Sequence, residues 1–372
     1  MFRYPNIAKF MLVFITQTAF LACCKKPIDQ RPGRTIFQKL RRREYDVKSF
    51  GNRQPCHLIF DPTKKGMVDA VRGVTLQVKK GKTTVILGES GSGKSVMLRS
   101  ILRLTQRGSN VAGSVRLEGE DLLGKSPKEM VGIRGNRVAM IFQDALSALD
   151  PLYRVGDQLK ETIRAHHKVG RREAKDRVIE LFRKVGIPSP EERVRAYPHE
   201  MSGGMRQRAV IAMALGCRPD LLLADEPTTA LDVTIQAQIL RLFKELQAEF
   251  GMSIVLVTHD IGVAAEMADE VAVMYAGKIV EYGSAEEVLT RPMHPYTAGL
   301  IAATPQSKQT GRLSTIPGQP PLITEMPPGC AFAQRCPYAE SRCTESVPDY
   351  VSAGRSQQAA CFQIAGRERY AQ

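Results

Sequence analysis

Eight residues, Gly88-Glu89-Ser90-Gly91-Ser92-Gly93-Lys94-Ser95, constrain this chain more than anything else in it. They follow an apolar, β-branched run at Thr83 to Leu87 and open a segment of helical pattern, the setting that a phosphate-wrapping loop requires. Glycines let the backbone turn so that successive N–H groups point inward at an anion. The start of the following helix adds a field that favours negative charge. In such a loop Lys94 reaches the β- and γ-phosphates of a nucleotide, and the Ser95 hydroxyl ligates Mg²⁺. A purely structural Gly-rich turn is the bland alternative. The order strand, loop, helix points to a parallel sheet with helices on its faces.

The chain from Val74 onward agrees. Thr83 to Leu87, Val138 to Phe142, Leu221 to Ala224 and Ile254 to Val257 read as buried strands. Ile235, Ile239, Leu242, Phe243, Leu246 and Phe250 share one face at helical spacing, which predicts an amphipathic helix over Val233 to Phe250. Between Asp144 and Leu215 no strand-like run occurs. Two charged helical segments, around Gly156 to His167 and Arg171 to Val185, make this a helical insertion. After Arg291 the composition shifts towards proline, and a short module bearing cysteines closes the chain. With no long internal repeat, one such unit is expected.

Candidate reactive groups sit at the ends of the strands. Leu221-Leu222-Leu223-Ala224-Asp225-Glu226 is an apolar strand ending in two carboxylates. Neighbours there point in different directions, so the pair divides the work: Asp225 suits the Mg²⁺ shell, and Glu226 suits the base that polarises an attacking water. His259 follows another apolar strand and is placed for a γ-phosphate contact. Gln143, after Val138 to Phe142, can touch both metal and water. Ser202-Gly203-Gly204 begins a helix and forms a second anion-binding corner. A second corner is explained if two such chains sandwich the nucleotide head to tail.

The order phosphate loop, Gln143, Ser202-Gly203-Gly204, Asp225-Glu226, Ala230-Leu231-Asp232, His259 resembles that of the ABC ATPases, over about residues 58–300. Ile141-Phe142-Gln143-Asp144, Tyr197-Pro198-His199-Glu200, His294-Pro295-Tyr296-Thr297 and Ile316-Pro317-Gly318 look like the oligopeptide/dipeptide importer branch. Met205 agrees with that branch, while Ala145 replaces a usual proline. The resemblance implies an α/β fold: a P-loop NTPase (RecA-like) core with an antiparallel β-subdomain and a helical subdomain over about 144–216. It implies domains at 56–300 and, as a C-terminal extension, at 301–372, after a basic leader at 1–55. It implies ATP and Mg²⁺ as ligands, with Gly88 to Ser95, Ser202, Gly203, Gly204 and Asp232 contacting nucleotide and Phe60 stacking on adenine. Ser95, Gln143 and Asp225 would serve the metal. The partners implied are a second ABC ATPase, the same or different, two permease subunits and an extracytoplasmic solute-binding protein. The location implied is peripheral, on the cytoplasmic face of a bacterial inner membrane. Nickel or another small solute is the alternative cargo, because the motor does not touch what is carried. A non-transport ABC protein is a further alternative, but those usually carry two units or long insertions, whereas only 59 positions separate Gln143 from Ser202.

Charge and cysteines complete the picture. The net charge of +15 suggests nucleic acid until its distribution is seen. Residues 1–65 hold 14 Lys and Arg against 4 Asp and Glu, and the rest shows no basic stripe, which excludes a nucleic-acid partner. The leader has the charged-then-apolar layout of an export signal over Arg3 to Cys24, and Leu21-Ala22-Cys23 would suit a lipoprotein. An exported protein would meet no ATP, so an atypical start is the preferred reading. Cys330, Cys336, Cys343 and Cys361 fall within 32 residues, without the tight pair that zinc modules show. Branch members carry a similar set, and some hold a [4Fe–4S] cluster there, so these four are candidate cluster ligands, with zinc and a plain structural tail as alternatives. Cys217 reads as a small buried hydrophobe.

Overall fold

A computed structural model describes residues 56–60, 68–105, 109–229, 231–304 and 315–364. The leader and Ala230 lie outside the described residues, as does the side chain of Phe60. The chain opens with β1 (Cys56–Phe60) and β2 (Val68–Val74), then β3 (Thr83–Leu87), which feeds the phosphate loop and α1 (Lys94–Ile101). Short strands β4 (Asn110–Ala112), β5 (Arg116–Leu117) and β6 (Glu120–Asp121) and helix α2 (Pro127–Ile133) lead to β7 (Val138–Ile141). Helices α3 (Val155–His166), α4 (Arg171–Lys184), α5 (Pro190–Arg193) and α6 (Gly203–Leu215) fill the interval before β8 (Leu221–Asp225). There follow α7 (Val233–Phe250), β9 (Ser253–Thr258), α8 (Ile261–Met267), β10 (Glu270–Tyr275), β11 (Lys278–Ser284), α9 (Ala285–Thr290) and α10 (Pro295–Ala302). The C-terminal module adds α11 (Ser341–Glu345), β12 (Val351–Ser352) and β13 (Gln358–Ala359).

One sheet runs in the order β12-β13-β11-β10-β3-β9-β8-β7. Its five strands from β10 to β7 are parallel, with Val85 opposite both Leu256 and Val271. All of β3 and β9 is buried, as expected of strands covered on both faces. Alternate side chains serve two cores. Val85, Leu87, Ile254 and Leu256 join the core shared with the helical insertion, while Ile86, Val255 and Val257 join the one under the β-subdomain. That subdomain is antiparallel, in the order β2-β1-β4.

The amphipathic helix falls where sequence periodicity puts it, α7 spanning the expected Val233–Phe250, and α3 and α4 match the two charged helical segments expected around Gly156 to His167 and Arg171 to Val185. Its start is capped by Asp232, whose carboxylate accepts from the Ile235 N–H at 2.9 Å, and its end by Gly251 in the left-handed region. The C-terminal module does not hang from the core as an appendage. Gln358 pairs with Tyr282 and Ala359 with Glu281, so the module extends the central sheet through β11. Glu281, fully buried, fixes this junction by accepting from the N–H groups of Met293 (2.7 Å) and His294 (2.9 Å) and from Gln357 Nε2 (2.6 Å).

Candidate nucleotide site

The phosphate loop leaves β3 at Leu87 and enters α1 at Lys94. Gly88 is required by close approach: a Cβ there would lie 2.3 Å from the Met274 carbonyl oxygen of β10. Gly93 combines a φ of +99° with a Cβ position 2.6 Å from the Ala70 carbonyl oxygen. The loop is thus pressed against β10 and β2. Lys94 is buried and folds back on the loop, its Nζ donating to the carbonyls of Gly88 (2.7 Å) and Glu89 (2.8 Å). Burial pushes this ammonium below the usual lysine value, against the opposing pull of Glu226, Asp225 and Glu89.

The two carboxylates at the end of β8 diverge. Asp225 has no solvent exposure and turns towards α1, where its Oδ1 accepts from Ser95 Oγ at 2.8 Å. Its buried Oδ2 has no hydrogen-bond partner among the described residues, and the Arg99 guanidinium stands 3.9 Å away. Burial pushes the Asp225 carboxyl above the usual range, against the Ser95 hydrogen bond and the Arg99 charge. Glu226 takes a φ of +47°, a left-handed conformation that costs a non-glycine residue about 1–3 kcal/mol. Its N–H donates to the Val257 carbonyl at 3.0 Å, which holds the turn. The result aims the side chain away from Asp225, towards the ends of β7 and β9. Its Oε2 accepts from Gln143 Nε2 and from Thr229 Oγ1, each at 3.0 Å, and its Oε1 lies 3.3 Å from His259 Nδ1. Burial alone would raise this carboxyl. The hydrogen bonds from Thr229 and His259, with the charges of His259 and Lys94, outweigh burial and hold it below the usual glutamate value. Lys94, Ser95, Asp225, Glu226, Gln143 and His259, chosen from sequence, are therefore one connected group.

Ser202, Gly203 and Gly204 stand apart from that group within this chain. Ser202 caps α6, accepting from the Met205 N–H at 3.3 Å. The helix is tied to the segment that follows Glu226, where buried Gln207 donates to the Pro227 carbonyl at 2.6 Å. Asp232 is occupied as the cap of α7. The cysteines are a different matter. Cys330 and Cys343 are joined through their main chains, N–H to carbonyl at 2.7 Å. Yet burial raises the thiols of Cys330 and Cys336, Cys336 to about 11, and among the described residues no group of three or more His, Cys, Asp or Glu is arranged to hold a metal ion.

Three participants escape sequence reasoning. Thr229 follows Glu226 by three positions, in a segment that carries no pattern of its own. Tyr296 and Arg335 lie far along the chain and both meet Glu89: the Tyr296 hydroxyl accepts from the Glu89 N–H at 2.9 Å, and Arg335 holds the Glu89 carboxylate with both terminal nitrogens, at 2.8 and 3.0 Å. Tyr296 stands in the His294-Pro295-Tyr296-Thr297 run noted above, though nothing there points to the loop, and the signal for Arg335 is an arginine beside the apolar and small residues Ala331-Phe332-Ala333.

Known proteins share this arrangement of sequence and fold. Residues 71–229 match the family described as ABC transporter, and residues 280–343 match the oligopeptide/dipeptide transporter C-terminal region. The chain is 49% identical over 312 residues to the dipeptide transport ATP-binding protein DppD of Bacillus subtilis (strain 168), across 83% of this chain and 93% of that protein. It is 52% identical over 281 residues to the oligopeptide transport ATP-binding protein OppD of the same organism, across 74% and 78%. Among solved structures it resembles the dimeric ATP-binding cassette MJ0796 in a post-hydrolysis state bound to ADP and Pi, with a TM-score of 0.55 and 27% identity over 62% of this chain and 98% of that one. It also resembles cbiO1 from Clostridium perfringens, part of the cbiONQ transporter complex, at a TM-score of 0.53 and 26% identity over 64% and 91%. Identity near one half across most of the chain, together with the cassette fold, shows that this chain belongs to the ATP-binding proteins of the ABC transporter family.

Proposed function

We propose that this ATPase cassette binds ATP with Mg²⁺ at the phosphate loop and hydrolyses it to drive peptide import through a membrane. The observation that carries the hydrolytic reading is the set of three groups on the Glu226 carboxylate, Gln143, Thr229 and His259, one strand away from the buried Lys94. On ATP entry Lys94 leaves the Gly88 and Glu89 carbonyls for the β- and γ-phosphates. Ser95 and Asp225 fit a hard cation, because Asp225 keeps a buried carboxylate oxygen without a hydrogen bond beside the Ser95 hydroxyl. Bound there, Mg²⁺ would neutralise charge on the β- and γ-oxygens. Glu226, ionised at neutral pH, accepts the proton of the attacking water, while Gln143 and His259 orient that water and the γ-phosphate.

Ser202, Gly203, Gly204 and Asp232 would face the nucleotide of a partner ATPase, a reading supported by the dimeric state of the similar MJ0796 cassette. An apolar groove of about 150 Å³, lined by Leu102, Met140, Phe142, Val210, Met213 and Ala214, adjoins Gln143 and would receive a permease element. Two permeases and an extracytoplasmic solute-binding protein complete the importer in this reading. Peripheral attachment at the cytoplasmic membrane face is consistent with the absence, among the described residues, of any helix long and apolar enough to cross a membrane. Phe60 would stack on adenine, and residues 56–300 and 301–372 would be the cassette and its extension.

Peptide as cargo is supported by the dipeptide and oligopeptide transport that the relatives are named for. Uptake of a labelled dipeptide, an oligopeptide and nickel would be compared between cells with the native chain and cells with only Glu226→Gln. Loss of peptide uptake alone is expected; loss of nickel uptake alone would replace the cargo. A [4Fe–4S] cluster on Cys330, Cys336, Cys343 and Cys361 rests on their closeness in sequence alone; among the described residues the thiols as arranged are not a ligand set. An oxygen-free preparation without iron or visible absorbance would discard it.

A further inference from the structure

Glu89 is an acid inside a loop whose task is to receive a polyanion. Left unpaired, its carboxylate would repel the phosphates and compete for Lys94, whose ammonium already feels the Glu89 charge. The carboxylate is not left unpaired. Arg335, 246 positions away and with a side chain only 6% exposed, grips both its oxygens. The rest of the fork is occupied as well. Its Nε donates to the Pro317 carbonyl at 2.9 Å, and one terminal nitrogen also reaches the Tyr275 hydroxyl at 3.3 Å. The guanidinium lies 5.8 Å from the Tyr275 ring centroid and 5.9 Å from that of Phe332. The Tyr296 hydroxyl then fixes the main chain of Glu89. Tyr275, Tyr296 and Phe332 pack against one another with ring centroids 4.5 to 5.4 Å apart, so the clamp stands on a rigid aromatic base.

We propose that Arg335 is a positioning residue for nucleotide binding: it neutralises and immobilises Glu89, so that the phosphate loop is shaped and charged to take a triphosphate. The C-terminal module thereby sets ATP affinity from outside the cassette motifs. Glu89 also carries one of the two carbonyls on which Lys94 rests, so the clamp governs the segment that Lys94 must leave when phosphate arrives. A loop held in its binding shape spends less free energy on ordering when the ligand enters. This inference rests on reading the loop as the ATP site.

The test is ATP titration and steady-state hydrolysis with the full chain, comparing wild type, Arg335→Ala, Arg335→Lys, Glu89→Gln and the double variant Glu89→Gln/Arg335→Ala. Arg335→Ala is expected to raise the Kd and KM for ATP about tenfold, with kcat within about twofold, because one decade corresponds to about 1.4 kcal/mol. Arg335→Lys keeps the charge but not the fork, and should fall between. The deciding variant is the double one. Removing the Glu89 charge removes the repulsion, so affinity should return to within about threefold of wild type, which a merely structural role for Arg335 would not produce. A double variant as weak as Arg335→Ala, or Arg335→Ala binding as wild type does, overturns the proposal. If Arg335→Ala fails to fold, Arg335→Gln with and without Glu89→Gln makes the same comparison. Wild-type chain that binds no ATP, or Lys94→Ala that binds it undiminished, would remove the site reading itself.

Discussion

Gly88→Ala tests whether the phosphate loop lies where it is described. The backbone of Gly88 needs no left-handed conformation, so space alone resists the new methyl. That methyl would stand 2.3 Å from the Met274 carbonyl oxygen and 2.9 Å from Ser92 Oγ. Ser92 can rotate, but the Met274 carbonyl belongs to a fully buried strand held in register with β3, where Val273 opposes Leu87. The loop must therefore retreat by roughly 1 Å, a displacement that can cost about 10²-fold when a positioning group is involved. Overpacking of this kind also costs about 1–3 kcal/mol of stability. The control is Gly91→Ala, at φ +80° with no atom within 4 Å of the added carbon. Only backbone strain of about 1–2 kcal/mol opposes it. Titration with ATP and thermal melting should show Gly88→Ala losing at least tenfold more affinity than Gly91→Ala and melting several degrees below wild type. Equal affinity in Gly88→Ala and wild type would refute the close approach to β10.

Glu226→Gln should lower kcat for phosphate release by about 10²–10⁴-fold, the usual contribution of a general base, while ATP binding survives. Because its hydrogen bonds hold the Glu226 carboxyl below the usual value, wild-type turnover should not fall through protonation of this group between pH 8 and the ordinary glutamate range; a single acid limb near pH 6 that vanishes in the variant would contradict it. Glu281 has the opposite sign. Burial raises its carboxyl, so its favourable contribution is complete below the unfolded value near 4.5 and declines as pH rises through the folded value. The stability advantage of wild type over Glu281→Gln, read from urea unfolding at several pH values, should shrink as pH increases from 4.5, and a constant difference would dismiss the raised carboxyl.

What the sequence made legible was whatever is encoded locally. The strand Thr83–Leu87, the loop after it and the helix Val233–Phe250 each carry their own periodicity, glycine spacing or cap, and their positions follow from those signals. The grouping of Gln143, Glu226 and His259 could be anticipated because each ends an apolar run, and parallel strands bring such ends to one edge of a sheet. Contacts between distant elements were not legible. Nothing in Gly88 to Ser95 says that Glu89 requires a cation from residue 335, and nothing in Gln358-Ala359 marks it as a sheet strand: two residues have no period. The left-handed turn at Glu226 was hidden as well, since no glycine or asparagine announces it. The four cysteines mark the same limit from the other side: they cluster in sequence, yet among the described residues they are not arranged as a group that could hold a metal ion.

The hairpin of β12 and β13 has a consequence of its own for how such a chain avoids sticking to others. Beyond β10, the long strand β11 alternates buried and half-buried residues and would, if it ended the sheet, offer a flat row of open N–H and carbonyl groups to any passing strand. The hairpin covers part of that row and finishes the sheet with a strand of only two residues, Val351 and Ser352, too short to template another chain. A cassette cut after α10 would carry every nucleotide motif and leave β11 as an open margin, so the module finishes the sheet as a selvedge finishes cloth.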